Sequence, residues 1–85
     1  MVFLALTRSG YDELVSQLQR VPSPLWVNKG VLSDEELAAL RALGSVSDFT
    51  YFITPTNVSE VEEASYTVKE HHPNETVWVE YVPAP

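Results

Sequence analysis

Two hydrophobic rhythms take turns through this chain, one with the short period of a strand and one with the longer period of a helix. Val2 to Leu6 is apolar at every position, after which Tyr11, Leu14, Val15, Leu18 and Val21 recur at the three-to-four spacing that gives a helix one buried face. The same succession returns twice. Leu25 to Val27 precedes a helical stretch from Asp34 to Leu43, Phe49 to Ile53 precedes another from Glu60 to His71, and Thr76 to Val82 ends the series as a fourth strand. Strands separated by helix-length segments predict an α/β domain of element order βαβαβαβ with a mainly parallel sheet.

Local signals place the boundaries. Ser33 and Glu36 have capping-box spacing, Leu32 and Leu37 stand at the two staple positions, and Gly44 ends that helix. Ser9 is the expected cap of the first helix, and Ser59, with Glu62, that of the third. Pro22, Pro24 and Pro73 mark stops. The wholly apolar Val2 to Leu6 run predicts a strand covered on both faces at the sheet centre, and Phe49 to Ile53 reads as nearly as buried. Glu80 interrupts the last strand, which makes that strand an edge guarded by a carboxylate. Right-handed crossovers around a central first strand then predict one three-layer domain over residues 1–82, with four strands ordered 2-1-3-4 and helices packed on them. An antiparallel last strand is the alternative. Residues 83–85 are expected to form an extended tail.

Composition narrows the chemistry. A chain of 85 residues has room for one domain, and the absence of cysteine removes disulfides, thiolate metal sites and a cysteine nucleophile, which fits a reducing, cytoplasmic setting. No run approaches the roughly 20 apolar residues of a membrane span, and Met1 to Leu6 lacks the features of a signal peptide. Net charge is −7 and the five basic residues are scattered singly, so neither nucleic acid nor an anionic membrane is an expected partner. Eight of the twelve carboxylates, among them Asp12, Asp34, Glu35, Glu36 and Glu60, fall near predicted helix starts, where they complement the dipole.

No catalytic, metal or cofactor motif is present. Element order resembles that of flavodoxin-like and receiver-like folds, but Thr7 and Thr54 stand where a receiver carries acidic residues. Gly10, Gly30 and Gly44 are too far apart for a nucleotide loop, and His71 and His72, adjacent on a helix, point about 100° apart. In open parallel sheets ligands collect beyond the strand carboxyl ends. There the chain supplies Thr7, Arg8, Ser9, Gly10, Asn28, Lys29, Thr54 and Thr56, a set suited to a small anionic ligand, with or without catalysis. The plainer reading is that the hydroxyls cap helices and the glycines relax turns. A second group, Glu62, Glu63, Tyr66, Glu70, Trp78 and Glu80, combines carboxylates with aromatics as interfaces do, unless Trp78 is packed under the third helix. The expectation is a non-enzymatic protein-binding module, monomer or weak homodimer, whose partner has a basic surface.

Overall fold

The computed structural model describes residues 1–84, and it is a three-layer α/β domain. Its elements are β1 (Val2–Ala5), α1 (Arg8–Leu18), β2 (Leu25–Val27), α2 (Asp34–Arg41), β3 (Val46–Asp48), α3 (Val58–His71) and β4 (Val77–Val79). All strand pairings are parallel. Among the described residues no helix is long and apolar enough to cross a membrane.

Strand alternation builds a core on each face. Val2, Leu4 and Leu6 point to the side of α3, where Trp26, Phe49, Ile53, Ala64 and Val68 complete one cluster. Ala5, Leu25, Val27 and Val46 point the other way, against Tyr11 of α1 and Leu37 of α2, with Phe3, Leu14 and Val15 packed alongside. The stripe expected on the first helix is therefore the one buried. Ser33 and Glu36 form the full capping box, and Leu32 and Leu37 are both buried beside it.

The sheet order is β3-β2-β1-β4, which corrects the expected 2-1-3-4. β1 is internal and the last strand is an edge, as the hydrophobic pattern implied, and that last strand runs parallel. The error lies in the third strand. Phe49 to Ile53 is not a strand; the third strand is Val46–Asp48, and it pairs with β2 through Leu25↔Val46 and Val27↔Asp48. The apolar segment after it leaves the sheet and buries Phe49 and Ile53 in the α3-side core. Its apolarity reflects a loop that covers a face of the sheet. Ser47 and Asp48, both half-buried, suit an outer strand better than a central one.

The order in which strands are added reverses at β1, although all of them run the same way. The first two crossovers step from β1 to β2 to β3 with α1 and α2 on one face, and the third returns past them to lay β4 on the far side of β1 with α3 on the opposite face. Crossovers of one hand running in opposite directions must carry their helices on opposite faces. The switch point of the fold thus lies at the carboxyl ends of β1 and β4.

Candidate functional site

At that switch point the chain fills its own anion cradle. Thr7, not Ser9, is the N-cap of α1, with its Oγ1 accepting from the Gly10 N–H (3.0 Å). Around it, Glu80 Oε1 accepts from the N–H of Leu6 (2.8 Å) and of Thr7 (3.0 Å), and Glu80 Oε2 accepts from the Thr7 hydroxyl (2.6 Å). These donors stand at the positive end of α1, where a carboxylate is favoured. Gly10 is required by this arrangement: a Cβ there would overlap the Glu80 carboxylate. Gly30, by contrast, serves its turn through a left-handed φ of 86°. The carboxylate expected to guard the β4 edge is therefore folded back beneath α1.

The other residues expected at this ligand edge are dispersed. Arg8 donates to Glu36 (2.9 Å to each oxygen), to Asp12 (3.2 Å) and to the Val31 carbonyl (3.3 Å), and its guanidinium lies over the Tyr11 ring. The hydrogen bond with Glu36 raises the Arg8 pKa. The Ser33 backbone N–H and then Arg8 hold the Glu36 carboxyl below the usual carboxylate range, while burial pushes the Tyr11 phenol up. Asn28, only 1% exposed, is a clamp: its amide donates to the carbonyls of Leu6 (3.1 Å) and Ile53 (2.7 Å) and accepts from the N–H groups of Lys29 and Ile53 (2.9 Å each). Leu6 thus has its N–H held by Glu80 and its carbonyl by Asn28, from the strands on either side. Lys29, Thr54 and Thr56 are exposed, Thr54 giving its N–H to Glu60 (3.2 Å) and Thr56 lying near α3.

The interface set is also divided. Glu62, Glu63, Tyr66 and Glu70 share the outer side of α3, where Tyr66 is 65% exposed and the three carboxylates make no ion pair among the described residues. The helix begins two residues earlier than expected, because Asn57 rather than Ser59 caps it by accepting from the Glu60 N–H. Trp78 lies on the opposite face of the sheet and is 53% exposed. Trp26 is the tryptophan on the α3 side, and its indole N–H donates to His72 Nε2 (3.1 Å). An indole N–H can only donate, so the imidazole proton sits on Nδ1, facing Glu75 (3.0 Å). Glu75 also receives the Met1 ammonium, which is the main cause of its lowered pKa.

Two grooves flank β4, one on each face. The larger, about 530 Å³, runs between β4 and α1 and is lined by Phe3, Leu14, Gln17 and Trp78; the smaller, about 320 Å³, lies between β4 and α3 and is lined by Val58, Val61, Glu62 and Pro55. Val79, Glu80, Tyr81 and Val82 border both. Val58, Val61, Val79 and Tyr81 were not in the expected interface set; the alternation of Val77, Val79 and Tyr81 with Trp78 and Glu80 is the signal for the last two. Among the described residues no three His, Cys, Asp or Glu side chains gather as metal ligands would. Comparison with protein-family models, curated proteins and solved structures yields no match.

Proposed function

We propose that the protein is a non-enzymatic binding module, an adaptor, regulator or inhibitor, that meets a partner protein with the outer side of α3 and the small groove beside it. One observation carries this reading: among the described residues Glu62, Glu63 and Glu70 make no ion pair, and they surround exposed Tyr66 next to a groove walled by Val58, Val61, Val79 and Tyr81. Carboxylates without an ion-pair partner in the fold attract an oppositely charged surface over distance, and the apolar groove supplies area to bury on contact. The partner chemistry that fits is a segment with apolar side chains flanked by Lys or Arg. A cytoplasmic setting belongs to the same proposal and rests on a chain without cysteine.

A small anionic ligand at the strand carboxyl ends has less support, since Glu80 already occupies the donors at α1 and Arg8 is paired with Glu36. The deciding experiment is affinity capture from native lysate with the wild-type chain and a Glu62→Lys, Glu63→Lys variant. The reading expects a captured protein that the variant loses and that added salt releases. Identical capture by both proteins would remove its basis.

A further inference from the structure

We infer that the β4 edge is a self-association seam at which two copies pair antiparallel across a two-fold axis, extending the sheet from four strands to eight. The inference does not rest on the acidic-face reading, although the two share Val79 and Tyr81, so a copy paired along β4 covers part of the small groove.

Backbone direction comes first. Val2 N–H donates to the Thr76 carbonyl (2.9 Å) and Glu80 N–H to the Leu4 carbonyl (3.0 Å), so Thr76, Trp78 and Glu80 turn their main-chain groups toward β1. The alternating residues Val77, Val79 and Tyr81 turn theirs outward. No described residue bonds to them there. The opposite edge is treated differently: Arg41 Nε donates to the outward carbonyl of Val46 (3.1 Å), and Arg41 Nη2 binds Asp48 (2.6 Å). A charged pair and an occupied carbonyl close β3, and the one charge available to do the same for β4, Glu80, is spent inside.

The edge is also its own complement. With the two-fold axis at Val79, residue 77 of one copy faces 81 of the other, 79 faces 79, and 81 faces 77, so each outward residue meets an outward residue and up to about six main-chain bonds form. On the α3 face Val77, Val79 and Tyr81 then pack against their counterparts. On the other face the two Trp78 side chains become diagonal neighbours, within reach of each other and of the open groove beside Phe3 and Leu14.

Charge and area agree with a second copy as the occupant. In a chain of net charge −7, residues 76–79 and 81–83 carry none. Tyr81 is 85% exposed and Trp78 about half exposed, and aromatic side chains bury about 150 to 250 Å² each, so the pair brings roughly 600 Å² to a dimer before the valines and the strand edge contribute. With the valines and the strand edge added, the total approaches the roughly 1,000 Å² at which specific interfaces begin, which fits a reversible, concentration-dependent dimer.

The test uses the full chain. Sedimentation velocity from roughly 10 μM to 1 mM, a span that brackets weak dimers, should show the mean mass rising toward twice the monomer's. The rise should grow with salt, because like-charged copies repel less when screened, whereas binding to a basic partner weakens. The chain has no cysteine, so Val79→Cys introduces a single thiol at the axis. On mild oxidation it should cross-link at least about tenfold faster than Leu43→Cys, an exposed position far from the seam, because facing strand residues lie within disulfide reach. Val79→Lys should abolish the mass increase while leaving the circular dichroism unchanged. A single monomeric species across the whole range, equal cross-linking of the two thiols, or undiminished association of the lysine variant would each overturn the seam.

Discussion

The two edges of this sheet are both three-residue strands, yet they end differently. At β3 the outward carbonyl of Val46 is taken by Arg41, and Asp48 completes an ion pair across the edge. At β4 no described residue plays that part: Val77, Val79 and Tyr81 present bare main chain, with a groove above and another below. The contrast teaches that a carboxylate in an edge strand does not protect it merely by being there. Asp48 points along the edge and serves it; Glu80 bends inward and serves the start of α1. Each side of the sheet is also tied to Leu6 by one polar side chain, Asn28 on the β2 and β3 side and Glu80 on the β4 side. The molecule is therefore held alike inside and finished differently outside.

The largest effect should come from the inner clamp on the β3 side. Asn28→Ala strands buried groups of Leu6 and Ile53, and a loss of about 3 kcal/mol is expected in urea denaturation. A loss below about 1 kcal/mol would mean that the segment after β3 is held by Phe49 and Ile53 packing alone. On the β4 side, Glu80→Ala should cost about 1 to 3 kcal/mol through unsatisfied N–H groups at the start of α1. Gly10→Ala sharpens the point because its sign should depend on Glu80. In the wild-type background the added methyl displaces the carboxylate and destabilises. In the Glu80→Ala background the same change should stabilise by up to about 1 kcal/mol, since alanine is the better helix former. Additive effects in that cycle would show that the glycine serves something other than the carboxylate.

The smallest change in stability, under about 1 kcal/mol, is expected from Arg41→Ala, because both partners of the Arg41–Asp48 pair are at least a third exposed. Its consequence should appear in assembly. A copy with two bare edges can pair at both, so light scattering should detect species beyond the dimer. Unchanged assembly would show that β3 is closed by something other than its guanidinium.

Legibility from sequence varied with the range of the interaction. The Ser33–Glu36 box is legible because cap and partner lie three residues apart and the geometry is local. The starts of α1 and α3 were placed two residues late, at Ser9 and Ser59 instead of Thr7 and Asn57. Both segments offer overlapping caps, and the choice falls to whichever residue the incoming chain leaves extended, as Thr7 (φ −131°) and Asn57 (φ −92°) are. Phe49 to Ile53 misled for a different reason. Only Phe49 and Ile53 of this segment are buried, while Thr50, Tyr51 and Phe52 are exposed, and five apolar-rich residues do not separate such a loop from a buried strand. Of the proposed ligand edge, Thr7, Ser9 and Gly10 do lie together, but Glu80 entered the sequence reading as an edge charge and a member of the interface set, not as a partner of Thr7.

Periodicity and caps, written into neighbouring residues, were enough to establish an α/β chain, six of its seven elements and a buried first strand. They could do so because a side chain's face follows from its position within its own helix or strand. Which strand became whose neighbour, which tryptophan was covered, and where the Glu80 carboxylate found its donors were settled in three dimensions. Those outcomes depend on partners up to 74 positions distant, as between Leu6 and Glu80, and no local period records them.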